Sequence, residues 1–289
     1  MNKGKMTYEA LWKRLTPLYE AGEAKAVVRW LLDVRFGLSM ADILCDKVSE
    51  LPQAAQAELE AMMARLAEGE PVQYVVGLAD FCGRQFRVAP GVLIPRPETA
   101  ELCQWVLEGR GERGEVRGYT LLDIGTGSGC IAITLAAEMP QAEVTGWDIS
   151  EVALGIAREN AERLGVDVSF EQRDILDSSR STLHASLYDI IVSNPPYIEP
   201  REREGMERNV LDYEPHIALF APEGNPILFY QRIADLAVRA LKPGGSLYFE
   251  LNPLTASSVG NYLTQIGFSR IEIRRDAFGK NRMLKATKI

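Results

Sequence analysis

The apolar run Tyr188-Asp189-Ile190-Ile191-Val192-Ser193 breaks abruptly at Asn194-Pro195-Pro196-Tyr197. Two successive prolines remove two backbone donors and fix φ, so a strand must stop there and the loop beyond it is stiff. A corner of this kind suits one sort of chemistry. A planar amide or aromatic NH2 is a poor nucleophile because its lone pair is delocalised. Two acceptors aimed at its two N–H bonds would bias it toward a pyramidal, electron-rich geometry. The side-chain oxygen of Asn194 and the backbone carbonyl of Pro195 can be those acceptors, with Tyr197 lying against the flat face of the group. Attack by such a nitrogen on an electrophile would then need orientation more than a strong base. A chain with two histidines agrees with that. Taken alone, the same residues are also a rigid strand-terminating turn with a capping asparagine.

A second pattern lies upstream. Leu121-Leu122-Asp123-Ile124 runs into Gly125-Thr126-Gly127-Ser128-Gly129, a glycine loop between a strand and a helix. Glycine is needed where backbone turns with positive φ or lies close to a ligand. A dinucleotide fingerprint would put its third glycine at position 130, where the chain has Cys130. The spacing Gly125-x-Gly127-x-Gly129 resembles instead the first motif of methyltransferases that share this fold, in which the loop passes beside a methionine moiety. Asp148 ends the next strand and can accept both hydroxyls of a ribose, a use common to both cofactor classes. Asp174, in Gln172-Arg173-Asp174-Ile175, ends the strand after that. It is placed for an adenine amino group in a methyltransferase, or it is a solvated loop acid or cap.

These loops need a sheet to hold them. Short apolar strands over Thr120–Ile124, Glu143–Trp147, Val168–Gln172, Tyr188–Val192 and Ser246–Leu251 alternate with helices over Ile131–Met139, Val152–Leu164, Ile227–Leu241 and Ala256–Ile266. Two closing strands follow near Ile271–Arg274 and Met283–Thr287. The alternation predicts an α/β fold with a mostly parallel sheet covered on both faces, binding ligands outside the carboxyl ends of its strands.

Before it, residues 1–70 carry apolar positions at helical spacing: Tyr8, Leu11, Leu15 and Leu18; Val27, Trp30, Leu31 and Val34; Leu59, Met62, Met63 and Leu66. They predict a small helical bundle, a core and also a candidate partner-binding module. Residues 71–95 favour extended structure through Val72, Tyr74 and Val76, then Phe86, Val88 and Val92 to Ile94. With Gly77 and Gly83 as turn points they read as a β-hairpin connector. Residues 96–289 form the catalytic part, with Thr99 placed to begin a helix through Leu102, Val106 and Leu107.

The bulk numbers narrow the classes. Hydrophobic residues make up 46% and charged residues 25% of 289 positions, as in ordinary globular proteins. No apolar run approaches the roughly 20 residues of a membrane-spanning helix, and the N-terminus lacks a secretory core. Cys45, Cys82, Cys103 and Cys130 are scattered, with no metal-ligand spacing, and free thiols fit a cytoplasmic protein. The net charge of -8 argues against stable nucleic-acid binding, which wants a basic stripe for phosphates.

Taken together the motifs resemble the protein-(glutamine) methyltransferases that modify peptide chain release factors. The likeness runs from Pro71-Val72-Gln73-Tyr74-Val75-Val76-Gly77 through Leu93-Ile94-Pro95-Arg96-Pro97-Glu98-Thr99, the glycine loop and Asn194-Pro195-Pro196-Tyr197. It continues through Tyr213-Glu214-Pro215 with Ala218-Leu219 to Asp276, Gly279 and Arg282. The resemblance implies a Rossmann-like class I methyltransferase sheet that uses S-adenosyl-L-methionine. It implies that Gly125, Thr126, Gly127, Ser128, Gly129, Asp148, Asp174, Ile175 and Asn194 contact that cofactor, and that Asn194, Pro195, Pro196 and Tyr197 hold the acceptor glutamine. The implied partner is a class-one release factor, methylated in its Gly-Gly-Gln loop and gripped in part by the N-terminal helices. Two positions depart from the family pattern: Ala100, followed by Glu101, stands where glutamate is usual, and Asn252 where glycine is common. The alternative is an enzyme of the same fold acting on adenine or cytosine in nucleic acid, which shares the Asn-Pro-Pro-Tyr motif.

Overall fold

The computed structural model describes residues 6–109, 118–177 and 188–289, and the chain divides into two compact units. The first runs to Leu78 and takes in Glu207–Tyr213. It contains α1 (Tyr8–Lys13), α2 (Ala21–Phe36), α3 (Met40–Leu44), a 3-10 turn at Lys47–Glu50, α4 (Gln53–Ala67) and α5 (Val72–Val76). Two of these starts are capped by side chains. The Thr7 side chain accepts from Ala10 N, and Ser39 and Asp42 form a capping box. Leu11, Leu15, Val28, Leu31, Leu32, Leu59, Met63 and Leu66 are its fully buried core. Two sequence expectations are corrected here. The buried stripe of α2 is Ala24, Val28, Leu31 and Leu32, while Val27, Trp30 and Val34 flank it half-buried and Leu18 lies 51% exposed. Val72–Val76, expected to be extended, is helical. Pro71 precedes its first turn, Gly77 at φ 83° closes it, and Val75 packs into the helical core, so packing overrides the strand preference of valine. Arg65 clamps this helix, donating to Glu70 and to the carbonyls of Tyr74 and Val75.

The second unit opens with a hairpin, β1 (Leu78–Phe81) and β2 (Arg84–Arg87), shorter than the connector expected over 71–95. It continues with α6 (Pro97–Gly109), β3 (Thr120–Ile124), α7 (Cys130–Glu138), β4 (Glu143–Asp148), α8 (Glu151–Leu164), β5 (Ser169–Gln172) and β6 (Tyr188–Ser193). A 3-10 turn at Pro200–Gly205 follows β6, and α9 (Arg208–Tyr213) returns to the first unit. The second unit then has α10 (His216–Leu219), α11 (Leu228–Ala240), β7 (Leu241–Glu250), α12 (Ala256–Gln265), β8 (Phe268–Arg275) and β9 (Asn281–Lys288). The last seven strands form one sheet in the order β5-β4-β3-β6-β7-β9-β8, parallel except where β9 runs antiparallel between β7 and β8. One apolar cluster, with α6 and α7, lies on one face; the other, with α11 and α12, lies on the other. Strand order reverses between β3 and β6. Helix α6 begins at Pro97, two residues before Thr99, because proline suits the first helical position.

Candidate active site

At the reversal point, β3 and β6 are parallel neighbours with Ile124 paired to Ser193. The Ser193 hydroxyl donates to the Ile124 carbonyl at 2.6 Å. Gly125 and Asn194 therefore leave the sheet side by side at the carboxyl ends of adjacent strands, the usual ligand-binding place in such folds.

The glycine loop is held by its own backbone. Gly125 N and Thr126 N both donate to the Trp147 carbonyl, at 2.8 and 2.9 Å, and Gly129 N donates to Thr126 O at 2.8 Å. Gly127 and Gly129 show two different needs for glycine, at φ 56° and 81°. A Cβ on Gly127 would meet nothing within 4 Å, so that face of the loop is open. A Cβ on Gly129 would lie 2.8 Å from Ile133 Cδ1 and 3.1 Å from Ala157 Cβ, so its absence lets α7 approach α8.

Two acids support the loop. Asp148, at the end of β4, accepts from Gly127 N at 2.8 Å through Oδ2 and from Ser150 N at 2.9 Å through Oδ1. Each oxygen keeps a further lone pair, and burial holds the carboxyl above its usual range. Asp123 is fully buried beneath the loop. Its Oδ2 accepts from Thr126 Oγ1 at 2.6 Å and Ala132 N at 3.2 Å, while Oδ1 has no hydrogen-bond partner. Burial pushes its pKa up to about 7. An open glycine face, an unused buried acceptor and a carboxylate at the next strand end suit S-adenosyl-L-methionine, which brings N–H and O–H donors and a positive charge.

Asp174 and Ile175 sit just beyond β5. Asp174 is exposed and its Oδ1 accepts from Leu176 N at 2.8 Å, as a turn cap does. Ile175 packs half-buried against the cluster containing Ile124 and Trp147. The two strand ends are tied by Arg173 N donating to the Asp148 carbonyl at 2.9 Å.

The proline corner is braced from four elements. Asn194 Nδ2 donates to Thr99 Oγ1 at 3.1 Å, and Thr99 Oγ1 donates to Glu250 Oε2 at 2.6 Å. Tyr197 OH donates to Glu250 Oε1 at 2.9 Å. The Asn252 amide donates to the Tyr197 carbonyl at 3.0 Å and to Glu202 at 2.7 Å. Arg282, whose Nε is fixed by Asp276 at 3.0 Å, also reaches the Leu251 carbonyl at 3.3 Å. Burial raises the pKa of both Glu250 and Tyr197, and the Arg282 charge works against it. Further upstream Glu214, almost fully buried, accepts from Ile94 N at 3.1 Å and pairs with the Arg96 guanidinium.

Asp123, Thr99 as a bridging hydroxyl, Glu250 and Asn252 were not singled out from sequence as site residues. A signal existed for two of them: Asp123 and Glu250 are carboxylates inside otherwise apolar strands, and a buried charge needs a reason. Asn252 keeps an ordinary φ where glycine is common, and its side chain supports the corner. Glu101, beside half-buried Ala100 on α6, accepts from Ala277 N at 3.3 Å. Among the described residues no group of three or more His, Cys, Asp or Glu side chains is arranged to hold a metal ion.

Comparison with known proteins adds five matches. A family described as a methyltransferase domain matches residues 115–255, and one described as PrmC N-terminal domain matches residues 10–77. The chain is 46% identical over 274 residues to the release factor glutamine methyltransferase of Bacteroides thetaiotaomicron, covering 95% of this chain and 96% of that one. It is 36% identical to the Flavobacterium psychrophilum enzyme of the same name, covering 94% of each. Among solved structures, a 16S rRNA methyltransferase from T. thermophilus, in complex with AdoMet and guanosine, aligns with a TM-score of 0.52. That alignment is 22% identical and covers 73% of this chain and 50% of that one, a likeness of fold.

Proposed function

The chain belongs to the release factor glutamine methyltransferase family, and from that premise we propose how its own residues perform the transfer and on which glutamine. It is an S-adenosyl-L-methionine-dependent enzyme that methylates the side-chain amide nitrogen of a release factor glutamine. The glutamine is that of the Gly-Gly-Gln loop in a class-one factor, and the enzyme works in the cytoplasm without stable nucleic-acid binding. Among the described residues no helix is long and apolar enough to cross a membrane.

Gly125 to Gly129, Asp148, Asp174, Ile175 and Asn194 hold the methyl donor. When bound, S-adenosyl-L-methionine supplies a methyl carbon on a cationic sulfur, whose C–S bond breaks as the C–N bond forms, leaving a neutral thioether. Asn194 Oδ1 and the Pro195 carbonyl each accept one N–H of the glutamine amide and turn its lone pair toward that carbon. Pro195 and Pro196 keep the two acceptors at fixed spacing, and the Tyr197 ring holds the amide plane. The nitrogen grows acidic only as the new bond forms, so its proton can leave to water without a strong base. The N-terminal helices within residues 1–70 help to hold the release factor.

The observation that carries this reading is the pairing of Ile124 with Ser193, which sets the glycine loop and the proline corner side by side. Asn194→Ala should still bind S-adenosyl-L-methionine while transfer to the release factor falls by on the order of 100- to 1,000-fold, the usual cost of removing one preorganised polar group. Mass spectrometry of the release factor after reaction reads the outcome as one added methyl on the Gly-Gly-Gln glutamine. Undiminished transfer by the variant, or methyl on nucleic acid instead, would count against the assignment.

A further inference from the structure

We propose that Thr99 and Glu250 are positioning residues for methyl transfer, forming a proton-ordered chain that dictates which edge of the Asn194 amide faces the acceptor. The proposal rests on the reading that Asn194 Oδ1 accepts from the substrate NH2. It follows from counting protons. An ionised Glu250 has none to give, so both hydroxyls bonded to it must donate: Thr99 to Oε2 at 2.6 Å and Tyr197 to Oε1 at 2.9 Å. Thr99 has then spent its single proton and can only accept. The Asn194 atom 3.1 Å from Thr99 Oγ1 must therefore be the NH2 group, and Oδ1 is turned away from Thr99. The electron-rich edge of the amide is thereby selected by a carboxylate two bonds away.

Burial makes the selection strict. Glu250 is 1% exposed and Thr99 3%, so water offers neither an alternative partner. Without that constraint the two faces of an asparagine amide differ little, and the side chain could present NH2 to the substrate as readily as oxygen. Two donors would then oppose each other where the reaction needs an acceptor. Glu250 ties both ends of the corner at once, since the Thr99 branch sets Asn194 and the Tyr197 branch sets the ring. The arrangement joins α6, β7 and the loop after β6, which are far apart in sequence.

Protonation should scramble the order. The titratable and charged groups facing Glu250 are Tyr197, Tyr230, Arg282 and Glu98, and burial is the largest influence, raising its pKa. A protonated Glu250 can donate to Thr99, which frees the Thr99 proton to turn toward Asn194 and favours the flipped amide. Activity should then be lost as pH falls through a value above the ordinary glutamate range. A buried polar staple with no orienting role would affect stability and leave this limb unchanged.

The test uses the full chain with purified release factor and labelled S-adenosyl-L-methionine. Thr99→Val keeps the shape and removes the hydroxyl; kcat should fall by on the order of 100-fold, with both the KM for release factor and the Kd for S-adenosyl-L-methionine within about threefold of the parent. Thr99→Ser should restore kcat to within about threefold by returning the hydroxyl. Glu250→Gln should resemble Thr99→Val, the double variant should be no slower than either, and Thr99→Val should lose the acid limb, because all interrupt one chain. Proton exchange of the Asn194 side-chain NH2, followed by NMR, needs no turnover. It should be slower in the parent than in Thr99→Val by about tenfold or more, as loss of a buried hydrogen bond implies. Equal exchange in the two proteins, or wild-type kcat in a folded Thr99→Val, overturns the proposal. A parent that shows protected Asn194 protons and yet methylates no release factor would uphold the chain and sink the substrate assignment.

Discussion

Asp123 and Glu250 are both buried carboxylates at strand ends, and they differ in what surrounds them. Glu250 receives two hydroxyl protons and has Arg282 nearby, whereas Asp123 has one oxygen bonded twice and one with no partner. For Asp123 burial outweighs its hydrogen bonds and raises the pKa from 3.8 to about 7. A raised carboxyl pKa means the folded state binds the proton more tightly than the unfolded chain. Its contribution is complete below the unfolded value near 3.8 and is lost as pH rises through about 7. Roughly three units correspond to about 4 kcal/mol across that window. Asp123→Asn should remove this part of the slope, so that its urea midpoint declines less than the parent's between pH 4 and pH 7, a span taken from about those two pKa values. Parallel midpoint-versus-pH curves for the two proteins would show that Asp123 is not titrating there.

At the scale of elements, Gly127 and Gly129 make a matched pair of tests two residues apart. Both have positive φ, so alanine at either is strained by about 1–2 kcal/mol. Only at Gly129 would the new methyl also meet α7 and α8 atoms, adding about 1–3 kcal/mol for overpacking. Gly127→Ala should therefore be the more stable variant and yet bind S-adenosyl-L-methionine more weakly, because its methyl fills the open side of the loop. Thermal unfolding and calorimetric titration check both halves, and unaltered cofactor affinity in Gly127→Ala would mean the ligand lies elsewhere. The loop itself was legible in sequence because its glycines and flanking strand are local, and the alternating strands and helices were legible by their apolar runs. Residues 198–226 were not. Their helices are six residues or shorter, and their anchor is the non-local Ile198–Phe220 bridge. Val72–Val76 was misread because valine favours strands, while its helix depends on packing against α2 and α4. The Thr99–Glu250 bond spans 151 positions, and no local spacing announces it.

For the whole molecule, the two units have separate apolar clusters, so unfolding need not be a single all-or-none event. The residues proposed to hold S-adenosyl-L-methionine all belong to the second unit. Ligand present at about 100 times its Kd should stabilise that unit by about 2.7 kcal/mol, since only the folded form binds. Leu31, fully buried in the first unit, offers the complementary perturbation. Leu31→Ala should destabilise the helices by about 2–5 kcal/mol through the cavity it leaves. If those helices hold the release factor, its KM should rise while the Kd for S-adenosyl-L-methionine stays at the parent value. Calorimetry with and without cofactor, alongside steady-state kinetics, separates the effects. A Leu31→Ala protein with weakened cofactor binding and an unchanged KM for release factor would reverse the division of labour, making the helical unit a support for the cofactor site rather than a holder of the partner.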